Sequence, residues 1–242
     1  MKKYVNLFVF VFMVGTCFSQ GKAQTKSAVS YKNPVVDIAM PDPTVIKAAD
    51  GYFYVYATES TRNVPIMKSK DLVQWTYCNT AFTNKTRPRF EPKAGIWAPD
   101  INYINNKYVL YYAMSVWGGE QTCGIGVATA DSPQGPFTDH GKMFRSNEIG
   151  VQNSIDPSFL QYEGRNYLVW GSFRGIYVIE LTEDGLSLKP GAEKKRIAGT
   201  AFEAAYIHKH GDYYYMFASI GSCCEGIRST YKVVVGRSKK VW

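Results

Sequence analysis

Apolar residues along the chain gather in short runs that come in pairs, and each pair is split by a tight polar turn. Four such segments align, at residues 42–57, 100–113, 156–171 and 203–218. Each reads as a strand, a turn and a second strand. The turns are Ala49-Asp50-Gly51, Asn105-Asn106-Lys107, Glu163-Gly164-Arg165 and His210-Gly211-Asp212. Gly, Asn and Asp supply the positive φ that hairpin turns need, and the flanks are rich in β-branched and aromatic residues. A third strand is predicted at 65–69, 123–130, 175–180 and 231–238, and a fourth at 75–77 and 137–139. No long stretch carries helical periodicity. Repeats of about 50 residues built from four short strands are the blades of a β-propeller.

Every segment opens with an acid: Asp42, Asp100, Asp156 and Glu203. In a propeller the first strand of each blade lines the central channel, so residues at equivalent places converge near the axis. Carboxylates crowded there cost energy and raise one another's pKa. An enzyme that needs one ionised and one protonated carboxyl gains from that arrangement.

The N-terminus has a different pattern. Lys2 and Lys3 precede a mostly apolar run over 4–15, and small and polar residues follow through Ala23. This is the layout of a secretory signal peptide at residues 1–23, leaving a domain over 31–242. The protein is expected to be secreted, or periplasmic or on the outer surface, with lipid anchoring at Cys17 left open. Three of the 28 basic residues (Lys2, Lys3 and Lys22) and none of the 20 acidic ones lie in this segment, so its removal lowers the charge from +8 to +5. The remaining basic residues are scattered, with none of the stripes that bind nucleic acid.

Cys78, Cys123, Cys223 and Cys224 remain, and in an exported protein they can pair in three ways. Cys223 and Cys224 are adjacent. A vicinal disulfide is strained, so free thiols or other pairings are expected at least as readily. No spacing points to a zinc site.

Four motifs recur in a fixed order: Met40-Pro-Asp-Pro-Thr-Val-Ile, Gly95-Ile-Trp-Ala-Pro-Asp, Ser154-Ile-Asp-Pro-Ser-Phe and Phe202-Glu-Ala-Ala-Tyr-Ile. With them the chain resembles glycoside hydrolase family 43 across essentially all of residues 31–242. The stretch 213–238, with Gly221-Ser-Cys-Cys-Glu-Gly, resembles the endo-arabinanases of that family. The resemblance implies an all-β, five-bladed propeller and inverting hydrolysis of α-1,5-L-arabinofuranosyl linkages in arabinan or arabinose-containing pectin side chains. It implies Asp42 as general base, Glu203 as general acid, and Asp156 as the group that orients that acid and raises its pKa. Trp97 is a candidate sugar platform, and Asp100, Phe173, Cys223 and Cys224 are candidate substrate contacts. No cofactor is expected for the chemistry. A monomer is expected.

The chain departs from the family pattern in showing four blades. The reading is of a truncated propeller, its C-terminal blade missing, whose activity in this form is in question. The family's channel histidine, which in many arabinanases helps hold a calcium ion, has no counterpart here, so a structural calcium belongs to a longer form. Two alternatives remain: an exo-acting β-xylosidase or α-L-arabinofuranosidase of the same family, and a carbohydrate-binding propeller without turnover. A sialidase-like propeller would need Ser-x-Asp-x-Gly-x-Thr-Trp repeats, which are absent.

Overall fold

Four antiparallel sheets follow one another along the chain, each a simple meander. The computed structural model describes residues 30–242; the expected signal peptide and Cys17 lie outside them. Blade 1 holds β1 (Thr44–Lys47), β2 (Phe53–Tyr56), β3 (Pro65–Ser69) and β4 (Thr76–Thr80). Blade 2 holds β5 (Gly95–Ile104), β6 (Lys107–Ser115), β7 (Gly124–Ala130) and β8 (Thr138–Arg145), followed by a single helical turn, α1 (Ser146–Ile149). Blade 3 holds β9 (Ser158–Tyr162), β10 (Arg165–Trp170), β11 (Ile176–Glu180) and β12 (Lys195–Ala198). Blade 4 has three strands, β13 (Glu203–His210), β14 (Tyr213–Ile220) and β15 (Lys232–Ser238).

First strands touch in succession, β1 to β5, β5 to β9 and β9 to β13, so they line a common inner surface. The predicted strand pairs, their turns and all four third strands are present. Strand β12 was not anticipated, because Lys195-Arg196-Ile197-Ala198 is an edge strand without alternating apolar residues.

Each core fills the space between two neighbouring blades. Tyr54, Tyr56 and Ile66 of blade 1 pack with Leu110, Tyr112 and Met114 of blade 2. Val109, Tyr111 and Ile125 of blade 2 pack with Leu168, Trp170 and Ile179 of blade 3. Val169, Ile176 and Val178 of blade 3 pack with Ala205, Ile207 and Ala218 of blade 4. Burying each large side chain fully contributes about 1.5–3 kcal/mol, so the inter-blade layers are the main source of stability. Polar braces cross the same boundaries. Arg87 pairs with Glu59 at 2.5 Å, and Glu59 also accepts from the Ile96 amide at 2.9 Å. No buried side-chain nitrogen or oxygen among the described residues lacks a partner. The opposite face of blade 4 is open, with Phe217, Val233 and Val235 exposed.

Candidate active site

Four residues with left-handed backbone mark the same place on the four blades: Asp42 (φ 50°), Ala98 (φ 42°), Asp156 (φ 58°) and Ala204 (φ 52°). Left-handed φ is uncommon for any residue but Gly, with Asp among the more tolerant. Three of the four precede a proline, which restricts them further. Such a conformation costs on the order of 1–3 kcal/mol and persists only where surrounding structure holds it, typically at functional sites. In blades 2 and 4 the strand slips in register at this point, between Trp97 and Asp100 and between Glu203 and Tyr206.

This corrects the alignment of the acids. Asp100 is not the counterpart of Asp42 and Asp156; Ala98 is. Asp100 falls two residues later, level with Thr44 and Ser158. Its carboxylate spans two boundaries, accepting from Thr44 Oγ1 of blade 1 (3.4 Å), from the Phe159 amide of blade 3 (2.7 Å) and from Asn102 Nδ2 (2.7 Å). Burial pushes it up to about 6 against those hydrogen bonds. Glu203 falls one residue before the left-handed position, where blade 2 has Trp97 and blade 3 has Ile155.

Asp42, Asp156 and Glu203 come together. Asp156 is raised well above the usual carboxylate range, first by burial and then by the charges of Glu203 and Asp42, while an amide hydrogen bond from Ala204 opposes the shift. Part of its surface stays accessible. Glu203 is buried, and its Oε2 accepts a hydrogen bond of 2.6 Å from the Ser172 hydroxyl. Tyr231 also faces it, and burial together with the charges of Glu203 and Asp156 raises that phenol. Asp42 is exposed, and its Oδ2 accepts from Thr58 Oγ1 at 2.5 Å. Thr58, Ser172 and Tyr231 were not singled out from sequence. A hydroxyl residue following the Asp of each Asp-Pro at the same spacing was the available signal for the first two.

The remaining candidates border this region in different ways. Trp97 is half-buried against Ala113, Cys123 and Ile155, and its ring lies 5.5 Å from that of exposed Trp117. It folds back over Gly95, where a Cβ would stand 2.3 Å from its Nε1. Phe173 is half-buried in the turn after β10, its amide donating to Phe202 O at 2.9 Å. That turn closes because Gly171, at φ 131°, has no Cβ to meet Gly175 O at 2.2 Å. Cys223 and Cys224 form a vicinal disulfide, one of the states the sequence leaves open, while Cys78 and Cys123 are free thiols. The pair lies in the β14–β15 loop, which is closed by Ser222 and Thr230 and leads directly to Tyr231. Among the described residues, no group of three or more His, Cys, Asp or Glu is arranged to hold a metal ion.

Three carboxyl groups meeting at the inner strands of a radial β-assembly offer the paired acids of opposite protonation state on which glycosidases rely. The chain belongs to glycosyl hydrolases family 43, matched over residues 31–242. It is 36% identical over 214 residues to an extracellular endo-α-(1→5)-L-arabinanase of Bacillus subtilis, covering 83% of this chain and 65% of that protein. It is 33% identical over 228 residues to an extracellular exo-α-(1→5)-L-arabinofuranosidase of Cellvibrio japonicus, covering 83% of this chain and 64% of that one. In structure it is similar to Cellvibrio cellulosa α-L-arabinanase, with a TM-score of 0.75, 31% identity, and coverage of 84% of this chain and 72% of that chain. The chain thus spans just under two thirds of the length of these curated relatives.

Proposed function

We propose that this protein hydrolyses α-1,5-L-arabinofuranosyl linkages in arabinan with inversion at the anomeric carbon. The observation that carries this reading is the convergence of Asp42, Glu203 and Asp156, close enough that the charges of Glu203 and Asp42 add to burial in raising Asp156. Exposed Asp42 is the general base: Thr58 holds one of its oxygens, leaving the other to take a proton from the attacking water. Buried Glu203 is the general acid that protonates the departing glycosidic oxygen. Asp156 orients Glu203 and keeps negative charge from accumulating beside it. Inversion requires the base and acid carboxyls to stand roughly 6.5–9.5 Å apart, with room for a water on one face of the sugar. Three side chains and a water carry every step.

The substrate class is supported by the arabinanase relatives and by a similar structure of the Cellvibrio cellulosa enzyme complexed with arabinohexaose. Trp97 and Trp117 offer aromatic faces for a furanose ring. Export is supported by the extracellular relatives together with the expected signal peptide. Because an exo-acting relative stands beside the endo-acting one, the mode of attack is tested with the activity. Linear 1,5-arabinan is incubated with the 242-residue protein and products are followed by chromatography and proton NMR. Oligosaccharides appearing first as the β-anomer are expected. Arabinose alone would move the reading to exo action, the α-anomer first would refute inversion, and no release would refute the proposal.

A further inference from the structure

Thr58 and Ser172 occupy the same place on blades 1 and 3, as the second residue after the second strand, and each donates to one of the proposed catalytic carboxyls. What lies behind each hydroxyl decides the direction of its hydrogen bond. Thr58 Oγ1 accepts from the Ala98 amide of blade 2 at 2.7 Å, and a backbone N–H can only donate. Its own proton is therefore directed to Asp42 Oδ2. Ser172 Oγ accepts from Asn153 Nδ2 at 2.9 Å. That nitrogen also donates to the Ser172 carbonyl at 3.1 Å, an acceptor-only partner that fixes the amide's orientation. The Ser172 proton is left for Glu203 Oε2. Both hydroxyls are thus committed donors, and each chain of bonds crosses a blade boundary: blade 2 to blade 1 for Asp42, and blade 3 to blade 4 for Glu203.

We propose that Thr58 and Ser172 are positioning residues that set where protons sit at the two working carboxyls; this rests on the proposed glycosidase reading. Thr58 keeps Asp42 as an acceptor, ready to take a proton from water. Ser172 occupies Glu203 Oε2, so the transferable proton sits on Oε1, and after transfer the same hydroxyl supports the new carboxylate. Asn153 and the Ala98 amide act one step further back, by leaving the hydroxyls no alternative direction.

The test compares T58V and S172A with the conservative T58S and S172T, each checked for folding by thermal melting. Rates are measured on 1,5-arabino-oligosaccharides, which need protonation of the leaving oxygen, and on an aryl α-L-arabinofuranoside with a good leaving group, which does not. S172A is expected to lose about tenfold or more on oligosaccharide, as for a lost hydrogen bond to a charged group, and much less on the aryl substrate. T58V is expected to lose similarly on both. Removing a donor disfavours an ionised carboxylate, so T58V moves only the acidic limb of kcat/KM upward in pH and S172A only the basic limb. The conservative variants restore both readouts. Equal losses of S172A on the two substrates, or one limb moved by both variants, would overturn the proposal. If the wild type turns over neither substrate, the glycosidase reading fails by itself. The pH dependence of carbodiimide labelling at Asp42 and Glu203 then decides: each variant must change its own carboxyl and not the other.

Discussion

Blades 1 and 3 present the same local chemistry and end with different sites. Each opens with Asp-Pro at a left-handed residue, φ 50° at Asp42 and 58° at Asp156, and each follows its second strand with a hydroxyl residue. Asp42 is nevertheless exposed and bonded within its own blade, while Asp156 is largely covered and is raised by that burial and then by Glu203 from the next blade. Ser172 likewise turns from its own Asp to the neighbouring Glu203. The motif sets the backbone, and burial together with the residue delivered across the blade boundary sets the protonation state. One pattern thereby yields an exposed acceptor on one side of the site and a coupled, desolvated pair on the other.

Replacing the working carboxyls tests that division most severely. Glu203→Gln and Asp42→Asn should each lower turnover on arabinan by roughly 10²–10⁴-fold, the usual worth of a general acid or base. The two variants should then part company. Glu203→Gln keeps substantial activity on an aryl arabinofuranoside whose leaving group needs no proton, and Asp42→Asn does not. Equal residual activity of both variants on that substrate would dissolve the distinction between the two sides of the site.

The packing beneath the two blades differs at one register position. Trp170 of blade 3 and Tyr56 of blade 1 are both fully buried at the end of a second strand. Trp170 packs on Phe144 at 5.1 Å, and its Nε1 donates to Ser154 Oγ at 3.1 Å, two residues ahead of Asp156. Trp170→Ala should cost about 3–5 kcal/mol of unfolding free energy by denaturant titration. Tyr56 donates to the Pro133 carbonyl, and Tyr56→Phe should cost only about 0.5–1.5 kcal/mol. A Trp170→Ala cost no larger than that of Tyr56→Phe would show that the support under Asp156 is not special.

Much of this architecture is legible in the sequence, because it is written in local chemistry. Asp50-Gly51, Asn105-Asn106 and Glu163-Gly164 sit at turns between β-rich runs, and the hairpins formed where those residues stand. Asp42, Asp156 and Glu203 stood out because acids opened successive segments. Asp100 opens its apolar run with an acid as they do, but it stands two residues past the strand position that Asp42 and Asp156 occupy. Counted back 15 residues from Ala57, Ala113 and Gly171, which close the second apolar runs, the equivalent positions are Asp42, Ala98 and Asp156. Asn153, Ser172 and the Ala98 amide were beyond reach for another reason. Their partners are set by how blades pack, and no periodicity in a single blade records its neighbour.

The smallest effect separates the two Asp-Pro acids by stability rather than rate. Asp156 is raised in the folded protein, so between the ordinary Asp pKa of about 3.9 and its folded value the native state binds a proton that the unfolded chain has released. Stability therefore falls as pH rises through that window, and the penalty is absent below it. Asn at this position keeps an oxygen to accept from the Ala204 amide but does not titrate. Asp156→Asn should thus gain in Tm relative to wild type as pH goes from 4 to 8. Asp100, raised to about 6, contributes the same slope to both proteins and cancels in the difference. Asp42→Asn removes one of the charges that raise Asp156, so it should show a smaller gain of the same sign. A Tm difference for Asp156→Asn that is flat across this range would mean that neither burial nor the charges of Glu203 and Asp42 hold Asp156 up in solution.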